Sequence, residues 1–401
     1  MLMQNRLPFP LNAMNRGGEL INRLGLAIPR LEVKDIQQRA MRATGLSNFG
    51  DTHYVAGLEA LLDAAKHDEL NYFGRLIIDA LSLDYAKMRL DWVEMQKRQP
   101  EAFAIDLLPP IIVTGLPRTG TTLLHNLLAV DPVNQAIPLW RLFKPFPPLH
   151  GRRDNRHRLI AQNQKMMDWG RPNLASKHAM TIDSPEECII VQGLSFNSVV
   201  FYISAPVYSY LDWFLTAERS KMYQEYASML HWYQAHDNRR LVMKAPPHMS
   251  ELSELLTAVP NALIVQTHRD PVQAINSMNS LFHTLHSSFM KPYVPEKMVK
   301  ANLRLATMFT EGNLNSRDKI DHNICDVFYD DLVNNPQGTV QKIYAHFGLE
   351  WTDAYAHELK QYMADNPQGK HGSHQHDSAD FGIRDAQIRE RFSTYIEQYH
   401  L

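Results

Sequence analysis

The residues best suited to chemistry lie together at 111–128, in the stretch IIVTGLPRTGTTLLHNLL. An apolar run of strand type ends in Gly115, the loop Leu116-Pro117-Arg118-Thr119-Gly120 follows, and Thr121-Thr122 open a helix. Glycines at both ends allow a tight backbone turn. A helix start then aims several amide N–H groups, and the positive end of its dipole, at one point. An anion of phosphate type fits there. Gly115 and Gly120 have the spacing of a Walker loop, yet Thr121 stands where an ATPase needs lysine, and no clear Walker-B aspartate follows. The cation has moved forward to Arg118. A strand–helix turn that binds nothing is the plain alternative.

The elements that would position this loop alternate. Strand-like runs at 241–243 (LVM), 262–267 (ALIVQT) and 325–329 (CDVFY) are separated by helix patterns at 250–258, 271–282 and 337–347, with 121–130 a helix after the first run. That alternation predicts an α/β fold, a P-loop-like parallel sheet flanked by helices. Residues 1–108 read as a mainly helical region, with Leu58, Leu61, Leu62 and Ala65, then Ile77, Ile78 and Leu81, at helical spacing. Residues 109–401 read as the α/β domain, with a helical insertion at about 159–236 after the first strand. Before it, 143–158 is proline-rich, then basic, and reads as a long loop.

Composition narrows the class. The chain has 401 residues, 44% hydrophobic and 21% charged, enough for a packed core. Lysine plus arginine is 41 against 43 acids, a net charge of −2, which argues against a nucleic-acid-binding protein. Two cysteines, Cys188 and Cys325, cannot build a disulfide framework, and no signal peptide is evident, so the chain reads as cytoplasmic. The uncharged stretch 188–211 is long enough for a membrane span, but Gln192, Gly193, Asn197, Ser198, Ser204 and Pro206 interrupt it; a buried helix or pocket wall is expected instead. His371, His374 and His376 lack the helical frame or paired cysteines of a metal site, so none is assigned.

LPRTGTT after a strand resembles the 5′-phosphosulfate loop of sulfotransferases that use 3′-phosphoadenosine 5′-phosphosulfate (PAPS), in the arginine form of Golgi tyrosylprotein and many bacterial members. A second match is THRDPVQAINSMNSL (267–281), with Arg269 at a strand end and Ser277 in the next helix. In that family this arginine and serine hold the 3′-phosphate, a task suited to a bidentate guanidinium and a hydroxyl donor. ATP has no 3′-phosphate, so the pair would select PAPS. The resemblance runs from about residue 40 to the carboxyl end, through ATGLSNFGD (43–51), SPEEC (184–188), KAPPH (244–248), FYDDLVNNPQGTV (328–340), GKHGSH (369–374) and DFGIRDAQIRERF (380–392), and points to a bacterial branch. It implies that Arg118, Thr119, Gly120, Thr121 and Thr122 hold the 5′ side and Arg269 and Ser277 the 3′ side. Tyr329 would lie near the adenine or simply pack in the sheet, and Lys370 would be a second 3′-phosphate contact or a solvated loop lysine.

The reaction so implied is in-line transfer to an acceptor hydroxyl, leaving adenosine 3′,5′-bisphosphate and requiring no metal. Arg118 and Lys244 are the candidates for stabilising charge. For the base, His248 matches the cytosolic enzymes at a longer spacing from its lysine. Many relatives of this branch carry a glutamate after the tryptophan, but here Arg141 follows Trp140, which shifts weight to His248 first, or to Glu186 and Glu187, with His178 and Asp183 behind. Phe196, Phe201, Tyr202, Tyr208 and Tyr210 would favour an apolar or aromatic alcohol or phenol if they line the acceptor pocket; ordinary core is the other reading. No nucleic acid or membrane span is expected, and a homodimer stays open. The alternatives are a P-loop phosphotransferase and a non-catalytic nucleotide-binding descendant.

Overall fold

The computed structural model describes residues 8–24, 29–149, 153–170, 181–290, 292–317, 320, 324–367 and 381–401. Five strands form one all-parallel sheet: β1 (Ile111–Gly115), β2 (Asn134–Ala136), β3 (Arg240–Lys244), β4 (Leu263–His268) and β5 (Ile324–Phe328), in the order β2-β3-β1-β4-β5. All of β1 is buried, as a strand covered on both faces must be. Its side chains alternate between two cores. Ile111 and Val113 join Val242, Val265 and Leu124, Leu127 and Leu128 of the helix Thr121–Ala129, while Ile112 faces Leu241, Met243 and Ile264 in the larger cluster. This is the α/β, helix-flanked parallel sheet expected from the alternation.

One element differs from that expectation. The insertion follows a short edge strand, β2, which pairs with β3 from Asn134↔Arg240 to Ala136↔Val242. Three residues, two of them polar, carry no strand periodicity, so only the pairing makes them a strand. From β1 the chain moves to one side of the sheet (β3, β2) and later to the other (β4, β5). The crevice at the carboxyl end of β1 therefore lies at the topological switch point, where open α/β sheets bind ligands.

The stretch 188–211 is broken into the short helices Ile189–Gln192 and Val200–Ser204 and the start of Tyr208–Phe214. Phe196, Phe201, Tyr202 and Tyr210 are wholly buried, with Phe196 and Phe201 stacked at 5.6 Å. Among the described residues no helix is long and apolar enough to cross a membrane.

The N-terminal helices pack on this insertion through a buried arginine. Arg89, in the helix Tyr72–Arg98, has no exposed surface. It donates to Glu225 Oε1 (2.7 Å), Leu194 O (3.2 Å), Phe49 O (2.8 Å) and Asp51 O (3.1 Å), under the Tyr54 ring. A buried ion pair need not stabilise relative to an apolar pair, but breaking one strands its partner. We expect Arg89→Ala to lower the unfolding free energy by about 3–5 kcal/mol in urea titrations, and Arg89→Met with Glu225→Leu to recover part of the loss. A double variant no better than the single would show that the stranded carboxylate is not the cause.

Candidate active site

The loop after β1 is closed by contacts that demand its residue types. Gly115 sits at φ 142°, and a Cβ there would lie 2.4 Å from Thr267 Oγ1 and 2.5 Å from Thr267 O, so the ends of β1 and β4 meet only through glycine. The Thr119 hydroxyl donates to Leu116 O (2.7 Å) or shares its hydrogen with Thr267 Oγ1 (2.5 Å), bracing the loop from inside. Arg118 adopts φ 73°, the left-handed region, at a cost of order 1–3 kcal/mol. The amide N–H groups from Arg118 to Thr122 make no backbone hydrogen bond among the described residues. Amides at the start of a helix have the geometry of an anion cradle. Thr121 is buried and Thr122 exposed.

The second motif folds onto this cradle. Arg118 Nε donates to Ser277 Oγ at 3.0 Å, and Arg269 Nη1 donates to the Arg118 carbonyl at 2.9 Å. Arg269 is further held by Gln273 Oε1 (2.9 Å) and lies 3.9 Å over the Tyr329 ring, whose edge packs beside Gly120. Tyr329 is the first residue of the helix Tyr329–Asn334, just after β5. Desolvation, and then the neighbouring Arg269, lower Arg118 below the ordinary arginine value. Among the described residues neither guanidinium forms an ion pair. Two adjacent cations with no carboxylate in ion-pair contact among the described residues, beside a helix N-terminus, would suit a multiply charged anion.

Sequence reasoning missed what braces Arg269. His268, buried at the end of β4, bonds Tyr395 OH through Nδ1 (2.8 Å) and Asp326 through Nε2 (2.8 Å), and stacks on Tyr399 at 4.0 Å. Arg317 pairs with Asp326 (2.7 Å), and Arg389 with Asp270 (2.7 Å), the cap of the helix Pro271–His286 that carries Ser277. The histidine between strand and arginine was the available signal, but its partners come from distant segments.

On the other side of β1, Lys244 ends β3 with no exposed surface, and its Nζ donates to Glu187 Oε1 at 2.7 Å. Burial pulls this lysine down, but Glu187 and Glu186 outweigh it, so its pKa is raised and it stays charged. Glu187 is partly exposed and Glu186 buried. His248 is also wholly buried, with Nδ1 2.9 Å from Tyr223 OH and Nε2 3.3 Å from Cys188 Sγ. Both ring nitrogens are engaged, and no part of the ring meets solvent. Asp183 pairs with His157 at the surface (2.9 Å), while Lys370, His178, His371, His374 and His376 fall outside the described residues.

Burial alone pushes His248 down to about 3; burial, then Lys244, push His125 down to about 4. In the unfolded chain a histidine binds its proton near pH 6.5, so below that pH the unfolded state takes up more protons and stability falls. We expect unfolding free energy to drop as pH falls from about 6.5 toward 4, with a shallower slope in His248→Gln. An unchanged slope would mean His248 is not held neutral by the fold.

Residues 109–353 match the sequence profile described as the Sulfotransferase family. Among characterised proteins the chain is similar to the omega-hydroxy-beta-dihydromenaquinone-9 sulfotransferase Stf3 of Mycobacterium bovis and of Mycobacterium tuberculosis. Each is 27% identical over 290 residues, covering 67% of this chain and 70% of the relative. Its fold is similar to the crystal structure of sulfotransferase STF1 from M. tuberculosis, at 29% identity and TM-score 0.79, covering 90% of this chain and 98% of that one. Sulfotransferase STF9 from Mycobacterium avium shares the fold at 22% identity and TM-score 0.82, covering 93% and 97%. The family match contains β1 to β5 and the loop that follows β1, and the chain belongs to the sulfotransferase family.

Proposed function

We propose that this sulfotransferase takes its sulfuryl group from PAPS and transfers it to a hydroxyl of a lipophilic small molecule. One observation carries the reading: two phosphate-type motifs far apart in the chain converge, with Arg118 on Ser277 and Arg269 on the Arg118 carbonyl, and neither guanidinium ion-paired among the described residues. In this reading the amides of Arg118, Thr119, Gly120, Thr121 and Thr122 take the 5′-phosphosulfate, and Arg269 and Ser277 the 3′-phosphate. Tyr329 orients Arg269 and borders the adenine side, and Lys370 is kept as a second 3′-phosphate contact. The name of the Stf3 relative, a hydroxylated menaquinone derivative's sulfotransferase, supports a lipophilic acceptor.

For the chemistry, the acceptor oxygen attacks sulfur in line, the bond from sulfur to the 5′-phosphate oxygen breaks, and adenosine 3′,5′-bisphosphate departs. Arg118 and Lys244 stabilise the charge that develops. Glu187 receives the acceptor proton: it is partly exposed, and its other oxygen is anchored by Lys244. Glu186 helps keep Lys244 charged. His248, enclosed with both nitrogens engaged, supports the wall behind Lys244 instead. We expect Glu187→Gln to lower kcat by roughly 10²–10³-fold with bisphosphate affinity retained, and His248→Gln to affect stability more than kcat. The reverse pattern would return the base to His248.

Calorimetric titration separates this reading from its rivals. Adenosine 3′,5′-bisphosphate should bind without magnesium, far more tightly than AMP or ATP. ATP favoured with magnesium would indicate a phosphotransferase; bisphosphate binding with no turnover on any acceptor, a non-catalytic descendant. Arg269→Ala should weaken PAPS and the bisphosphate by about 2–3 kcal/mol, and adenosine 5′-phosphosulfate much less. Equal weakening of all three would make Arg269 only a brace for the Arg118 carbonyl.

A further inference from the structure

The helix Phe9–Arg23 is anchored by one face and carries an apolar stripe on the other, beside exposed Asn12, Arg16 and Gly17. Asn15 Oδ1 accepts the N–H of Phe73, in the first turn of the helix Tyr72–Arg98, at 2.7 Å. Gly18 packs so closely on Tyr72 that a Cβ there would lie 2.2 Å from the ring. These two contacts settle which face points outward. On that face Phe9 is 84% exposed, Leu20 59% and Ile21 37%, and Leu24, just past the helix end, 71%; these are half of the eight large exposed hydrophobic residues among those described. At about 100° per residue, Phe9, Ala13, Leu20 and Leu24 fall within about 60° of one another, with exposed Arg16 at their border. A docked surface helix ordinarily turns its polar face to water; this one also exposes an apolar stripe there.

Charge indicates the occupant. Residues 1–30 contain four arginines and a single acid, Glu19, in a chain of net charge −2. An apolar stripe bordered by arginine fits the boundary between lipid headgroups and acyl chains. We infer that this helix docks the protein on an anionic lipid bilayer, its apolar side chains entering the interface and Arg16 meeting lipid phosphates. The helix lies in the surface plane and spans nothing. The inference does not depend on the donor or acceptor proposed above, although a surface-docked enzyme would be well placed to reach a membrane-borne alcohol.

The test is flotation of the full-length protein with vesicles of phosphatidylglycerol and phosphatidylcholine, against phosphatidylcholine alone, at low and high salt. We expect flotation with the anionic vesicles, weakened by salt. Phe9→Asp with Leu20→Asp, and separately Arg16→Glu, should each reduce it roughly tenfold. Because these side chains are exposed, circular dichroism and bisphosphate affinity should not change. Light scattering is measured alongside. Equal flotation of all variants, or none at low salt, would overturn the inference. So would a wild-type dimer that the double aspartate variant makes monomeric without altering flotation, since the stripe would then cover a second copy of the chain.

Discussion

An ammonium with no exposed surface must be neutralised where it lies, because an unpaired buried charge is too costly to persist. Lys244 sets this constraint at the end of β3, and Glu187 meets it. The carboxylate arrives on SPEEC, the segment of the insertion that leads into its buried stretch 188–211. SPEEC is tied down by Cys188 N to Lys244 O (2.9 Å) and by the bridge between Pro138 and Pro185. Neutralising one lysine thus brings the insertion over the carboxyl end of the sheet. The insertion carries Tyr223 to His248 and Glu225 to Arg89, and through Arg89 the N-terminal helices join the same body.

Across β1 the electrostatics are opposite. Arg118 and Arg269 are held together against their repulsion by Ser277, Gln273, the Tyr329 ring and a carbonyl. These partners fix direction but supply no negative charge. One side of the crevice is therefore a satisfied pair and the other an unsatisfied one. The left-handed backbone at Arg118 and the missing Cβ of Gly115 belong to that second side, where an incoming anion would supply the missing charge.

The extent to which this could be read beforehand follows distance along the chain. The strand IIVTG was legible because its apolar run and terminal glycine are local. β4 and β5 were legible to within a residue for the same reason, whereas β2 exists only through its partner β3. The stretch 188–211 was readable as buried and interrupted, but not where its short helices end, which is set by the left-handed backbone at Phe196 and the extended residue Ala205 before Pro206. The Arg118–Ser277 meeting was legible through two motifs. The His268, Tyr395 and Asp326 brace was not, since it joins residues from β4, β5 and the last helix.

The sequence by itself determined the strand–loop–helix turn after β1 and the arginine that stands in place of a Walker lysine. Strand, loop and helix are contiguous there, and glycine spacing dictates the turn. It also determined the parallel α/β class, through apolar runs that only a sheet covered on both faces explains. Only the tertiary structure decided how His248, Glu186 and Glu187 differ. A histidine and a glutamate have similar claims to a proton in sequence, but burial and partners set their access. The fold closes His248 between Tyr223 and Cys188 and leaves Glu187 partly exposed in its pair with Lys244.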